Sequence, residues 1–206
     1  MRWDLVPLVE QLTSVLHAKA EELELEQAVR GIDGALEVAT QTLLADGLAR
    51  HHRVTREAYY PSETGKRNHR ARCDLVLTPK GMALVTTEAP QLFEETCEPE
   101  DAFWLELKVA HQLLPVSRRN PRYGAQWRSA IVQDLRKMKA DRRIVHAALA
   151  LVVFTDTQVT VDKDLGLFET LLEGEALLSG FRVVRTFAIT DRIGHGFCSV
   201  AAWPLA

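Results

Sequence analysis

The sequence predicts an α/β domain: a mixed central β-sheet flanked by helices, with an extra N-terminal helix. Three observations carry that expectation. Apolar residues recur at helical spacing over the first forty-odd positions, short β-forming runs bounded by turn signals follow, and helix and strand patterns then alternate to the C-terminus. A chain of 206 residues suits one domain with a sizeable core, and no repeat or low-complexity tract interrupts it.

Leu5, Leu8, Leu12, Val15 and Leu16 mark a helix over residues 4–20. A second helix is read from Leu25, Ala28, Val29, Ile32, Leu36, Ala39 and Leu43, closing at Asp46-Gly47, where glycine can take the left-handed conformation. Residues 54–60 form a strand stopped by Pro61, and a polar loop over 62–70 leads into the strand Arg72–Leu77. Pro79-Lys80-Gly81 is a turn, Ala83 to Thr87 a short return strand, and 91–101 an acidic excursion. Trp104–Lys108 is the next strand. A helix is expected from about Ala125 to Ala140, with Trp127, Ile131, Leu135 and Met138 facing the core. Ala147–Phe154 is an uninterrupted apolar run, the pattern of a strand covered on both faces. A helix over 164–178 and strands over 181–189 and 196–203 end the chain, with Gly194-His195-Gly196 as their turn.

The N-terminus lacks the basic and then apolar profile of a signal peptide, and no apolar run reaches about 18 residues, so no membrane partner and a cytoplasmic location are expected. Cys73, Cys97 and Cys198 are far apart and lack zinc or disulfide spacing; Cys73 and Cys198 should be buried. Charge is segregated beneath a net value of −3. Residues 50–72 carry seven Arg or Lys against two acids, residues 118–143 nine against two, and residues 88–101 six acids with no base. Such segregation allows one basic face for a polyanion on an acidic protein, with ordinary solvated surface as the plain alternative.

Within Trp104-Leu105-Glu106-Leu107-Lys108 two charges interrupt an apolar run. In a strand, Glu106 and Lys108 share one face while Leu105 and Leu107 enter the core, and burying those charges without partners would cost several kcal/mol. Arg72-Cys73-Asp74-Leu75-Val76-Leu77 sets a second carboxylate among β-formers. Asp74, Glu106 and the carbonyl of Leu107 could ligate a hard divalent cation, Mg²⁺ or Mn²⁺, with Lys108 at the attacking water, its pKa lowered by its surroundings. Phosphodiester hydrolysis needs that combination. The isolated histidines 51, 52, 69, 111, 146 and 195 have no zinc or triad spacing, and His111 reads as an exposed side chain that could touch substrate. No glycine-rich phosphate loop is present, which disfavours nucleotide cofactors.

The order of helix with an acid, strand with Asp, strand with Glu-x-Lys, helix and apolar strand resembles the PD-(D/E)XK nuclease superfamily over residues 25–155. The resemblance implies a restriction-endonuclease-like core over 25–155, with residues 1–24 as a helical extension and 156–206 as a C-terminal helix and two strands, all one domain. It also implies that Glu37, ten residues ahead of Gly47, completes a metal site with Asp74, Glu106 and Lys108; Glu26 and Asp33 share its flank as weaker candidates. The resemblance also implies a partner class: Arg118, Arg119 and Arg122, after the Glu106 strand, with Lys66, Arg67 and Arg70 in the loop before Asp74, are placed to meet a nucleic-acid backbone, DNA ahead of RNA. Arg128 belongs to the same set, Tyr123 and Trp127 are candidates for base stacking, and a homodimer is the assembly common among such nucleases. The expected activity is a metal-dependent endo- or exodeoxyribonuclease; the alternatives are an inactive nuclease-like module that binds nucleic acid or protein, and a hydrolase of another phosphate ester. Three features depart from the family pattern. Cys73 stands where the family's name has Pro, and the Gln-x-x-x-Tyr signature is missing after Gln126 and Gln133. The wide spacing from Asp74 to Glu106 requires residues 78–102 to be an insertion or an extra hairpin.

Overall fold

A computed structural model describes residues 3–62, 71–86, 95–115, 118–126 and 128–205. Helix α1 (Leu5–Leu25) starts at Asp4, whose side chain accepts from the Val6 amide, and buries Leu8, Val9, Leu12 and Leu16. A 3-10 turn (Ile32–Gly34) precedes α2 (Glu37–Leu48), which buries Leu44, Ala45 and Leu48. Then come β1 (His52–Tyr59), β2 (Arg72–Pro79), β3 (Ala83–Leu84), β4 (Thr96–Cys97) and β5 (Phe103–His111). The chain continues through β6 (Leu113–Leu114), β7 (Arg118–Arg119), α3 (Tyr123–Gln126), α4 (Ser129–Ala140) and β8 (His146–Thr155). It ends with α5 (Gln158–Gly174), β9 (Val183–Ala188) and β10 (Phe197–Pro204).

Six strands form one mixed sheet in the order β1-β2-β5-β8-β10-β9. Within this sheet only β5 and β8 pair parallel, joined by a crossover that contains α4; the other neighbours are antiparallel. Both faces are covered. Leu105, Leu107, Val109, Ala150, Val152 and Val200 pack with α1 and α2, while Trp104, Leu149, Leu151, Val153 and Trp203 pack with α4 and α5. That double covering is why β8 reads as an unbroken apolar run. All three cysteines are buried and free. Among the described residues, no helix is long and apolar enough to cross a membrane.

The expected second helix is corrected. Leu25 belongs to α1, α2 begins only at Glu37, and Leu25, Val29 and Leu36 point into solvent. The break is a Schellman motif: Ala28 N–H bonds the Leu23 carbonyl and Gln27 N–H the Glu24 carbonyl, with Gln27 at φ +50°. A non-glycine residue in that conformation leaves no mark in the sequence. Gly47 does not close α2 but lies inside it, where a Cβ would come within 2.2 Å of Val15 Cγ2, so its role is the close approach of α2 to α1. Residues 78–102 do not form a hairpin between β3 and β4, since these two pair parallel, Ala83 with Thr96 and Leu84 with Cys97. Residues 87–94 lie outside the described residues. The last helix starts earlier than expected, at Gln158, capped by the Thr157 side chain.

Candidate active site

Strand β5 puts Trp104, Glu106, Lys108 and Ala110 toward the α4/α5 side and its leucines toward α1/α2. On one edge β5 stays paired to β8 from Phe103 to His111. On the other edge the ladder with β2 is short: Leu75, Val76 and Leu77 pair with Leu105, Trp104 and Phe103. Continuing that register would set Asp74 opposite Glu106, but the ladder opens there. Cys73 joins the α4/α5 core and Leu75 the α1/α2 core, so β2 turns over at Asp74. The facing strand turns with it: β1 pairs Arg56 with Leu75 and Ala58 with Cys73, and Glu57 between them has φ +52°. The Asp74 carboxylate fills the opened rung, its Oδ2 accepting from the Leu107 amide at 2.8 Å.

Lys108 Nζ lies 2.5 Å from Glu106 Oε1 and 3.5 Å from Asp74 Oδ2, which puts those two oxygens at most about 6 Å apart. Glu106 is 3% exposed, and its second oxygen, Oε2, is buried with no hydrogen-bond partner among the described residues. Burial pushes its pKa up to about 7, Asp74 adding and Lys108 opposing. Burial alone would lower Lys108, but Glu106, Asp74 and the hydrogen bond to Glu106 outweigh it and hold the ammonium well above its ordinary value. With no cation beside it, Lys108 thus shows the opposite of the lowering expected next to a bound metal, and here it is the hydrogen-bond donor to Glu106 and Asp74. Glu37, the first residue of α2, is solvent-accessible. Desolvation by the surrounding protein raises its pKa, with Lys108 opposing and Asp74 adding, so Glu37 shares a field with both. Asp74, Glu106 and Lys108 are therefore gathered at one place, Glu37 acts electrostatically on Lys108 and Asp74 without touching Lys108, and Glu26 is exposed at the end of α1.

Other expected residues fall differently. Arg118 and Arg119 (β7) and Arg122 are exposed on a short hairpin and turn just beyond β5, tied back by Asn120 Nδ2 to the His111 carbonyl at 2.8 Å. Arg128 is exposed as well. Lys66, Arg67, Arg70 and Trp127 lie outside the described residues. Tyr123 is engaged rather than presented, its hydroxyl donating to Asp164 at 2.8 Å. His111 is partly buried, its ring stacked on Phe154 at 5.0 Å, and burial pushes its pKa down to about 4, so it is not the exposed side chain expected. His195 does sit in the turn before β10, but it is fully buried against Asp33. Two residues not expected at the site, Tyr60 and Asp134, lie within the electrostatic reach of Glu106, and Tyr60 is buried, packed edge-on to Trp104. Only the helical phase of Asp134 on α4, beside core residue Leu135, could have pointed to it.

Two carboxylates contact the Lys108 ammonium and Glu37 acts on it from farther away, an excess of two negative charges when all are ionised. Oxygen donors of this kind, with one buried oxygen left without a partner, suit a hard divalent cation. Among the described residues, no three His, Cys, Asp or Glu side chains already stand in ligating geometry; Lys108 stands between its carboxylates instead. No family model, curated protein or solved structure matches the chain.

Proposed function

We propose that this chain is a divalent-metal-dependent nuclease with a restriction-endonuclease-like core of the PD-(D/E)XK kind, acting on DNA phosphodiesters. The observation that carries the reading is the meeting of Asp74, Glu106 and Lys108 where the β2–β5 ladder opens, with Glu37 acting electrostatically on Lys108 and Asp74. Asp74, Glu106, Glu37 and the Leu107 carbonyl would hold Mg²⁺ or Mn²⁺. When bound, such a cation supplies charge neutralisation at the phosphate and an acidified water. The chain's own groups do the rest. The Leu107 amide fixes one Asp74 oxygen and so orients the other. The Lys108 ammonium donates a hydrogen bond to the attacking water or to a phosphate oxygen, and its charge offsets negative charge growing on phosphorus substituents. Arg118, Arg119 and Arg122 meet the backbone beyond the scissile bond by charge rather than by sequence.

A second reading is a non-catalytic module on the same fold. It draws on the 2.5 Å Lys108–Glu106 contact, which pairs the two charges without any metal. Thermal unfolding with added Mn²⁺ separates the two. A ligand at a hundredfold excess over its Kd stabilises the native state by about 2.7 kcal/mol. The nuclease reading expects a rise in Tm that Glu106→Ala abolishes; no rise at any Mn²⁺ concentration favours the module.

A further inference from the structure

Away from the four site residues, the molecule buries a second pair of ionisable side chains. Asp33 and His195 are both shielded from solvent, with His195 Nδ1 2.9 Å from Asp33 Oδ2. The other ring nitrogen, Nε2, accepts from the Leu113 amide at 3.0 Å. A nitrogen that accepts carries no proton, so the ring is neutral and its Nδ1–H donates to Asp33. Among the described residues, Asp33 Oδ1 has no hydrogen-bond partner. A polar pair this deep is expensive to bury, and the three segments it joins show what it holds.

Asp33 sits in the 3-10 turn that leads into α2, whose first residue is Glu37. Leu113 opens β6, directly after the strand carrying Glu106 and Lys108. His195 comes from the turn between β9 and β10. The first turn of α2 has no side-chain cap of its own, since Leu36 stands at that position. Its approach is held from the His195 turn instead, where Arg192 also donates to the Ala28 carbonyl and pairs with Glu24 at 3.0 Å. His111 and Phe154, each with ring centroids 6.1 Å from His195, wall the pair off.

We infer that Asp33 and His195 are positioning residues: the chain Asp33–His195–Leu113 sets the first turn of α2, and with it Glu37, in place relative to Glu106 and Lys108. The inference rests on the metal-site reading above. Hydrogen-bond partners behind a metal ligand change affinity by about 10- to 100-fold when removed.

The test is a double-mutant cycle on Mn²⁺ affinity. Asp33→Ala and Glu37→Gln are each expected to weaken binding about tenfold, and the double variant to be no weaker than the weaker single. Asp33→Asn keeps an oxygen for the imidazole N–H and should stay within about twofold of wild type. Losses that multiply in the double variant, or an unchanged Kd in Asp33→Ala, overturn the inference. If Asp33→Ala does not fold, His195→Gln takes its place in the cycle. Hydrogen–deuterium exchange of the metal-free protein supplies an independent readout at the Thr40 amide, which bonds the Leu36 carbonyl at 3.0 Å. Exchange there should quicken in Asp33→Ala or His195→Gln, and unchanged exchange overturns the inference whether or not metal binds. If wild type binds no Mn²⁺, the nuclease reading fails and the exchange result alone decides the role of the pair.

Discussion

At the scale of single residues, the site is a problem of unbalanced charge. Lys108 is the local cation for Glu106 and Asp74, and removing one member of a buried pair typically costs about 3 to 5 kcal/mol. Glu106 can escape part of that cost by taking a proton, because burial already raises its pKa to about 7. Lys108→Met should therefore destabilise the metal-free protein by roughly 3 kcal/mol at pH 8 and by clearly less at pH 6, as urea unfolding would show; an equal loss at both pH values would contradict the assignment. His111 provides a separate titration. Unfolded, it protonates near pH 6.5; folded, only at about 4, because burial disfavours the charged ring. Between those values the unfolded chain binds more protons, so this contribution is complete above pH 6.5 and is lost as pH falls toward 4. Wild type should lose about 2 kcal/mol more than His111→Gln between pH 7.5 and pH 5 in urea unfolding, and parallel pH profiles would refute it. Asp74, Glu106 and Lys108 were legible in the sequence because charges inside apolar strands are rare and have to be matched. Asp33–His195 was not, because a bond between residues 162 positions apart has no local pattern.

At the scale of elements, the strands were read more accurately than the helices. Alternation and apolar runs survive burial, so β1, β2, β5, β8, β9 and β10 stand within a few residues of expectation. Helix ends depend on backbone conformations that a sequence need not advertise. Both α1 and α5 end in Schellman motifs with non-glycine residues, Gln27 and Ala176, at positive φ. Gly47 misled in the opposite direction, because glycine serves close packing as well as turns. Alanine is the better helix former by about 1 kcal/mol, yet its Cβ would strike Val15. Gly47→Ala should therefore destabilise the protein by about 1 to 3 kcal/mol, and Val15→Ala in the same chain should recover part of the loss. A Gly47→Ala variant as stable as wild type in denaturant titration would show that α1 and α2 do not meet as described.

At the scale of the whole molecule, the linear charge map overstated the basic face. Arg143 is taken by Glu100 at 2.7 Å and Glu98 at 3.3 Å, both from the acidic excursion, and Arg136 pairs with Glu175. Clusters that oppose each other along the sequence partly cancel in space. Arg118, Arg119 and Arg122 stay exposed beyond the end of β5. Each phosphate contact contributes about 0.9 to the slope of log affinity against log salt on duplex DNA. Arg118→Ala with Arg119→Ala should therefore lower that slope by about 2 and weaken binding evenly across DNA sequences; an unchanged slope would place the DNA elsewhere. The fold class was legible because an α/β sheet covered on both faces has a distinctive pattern, whereas the turn of β2 at Asp74 arises only when three strands meet. The most direct measurement of the central claim is cleavage of duplex and single-stranded DNA with Mg²⁺ or Mn²⁺, wild type beside Asp74→Ala and Lys108→Ala. Wild type should cut only with the cation present and both variants should lose about a thousandfold or more in rate, whereas a metal-loaded wild type that leaves DNA intact, or cleavage that survives both substitutions, would contradict it.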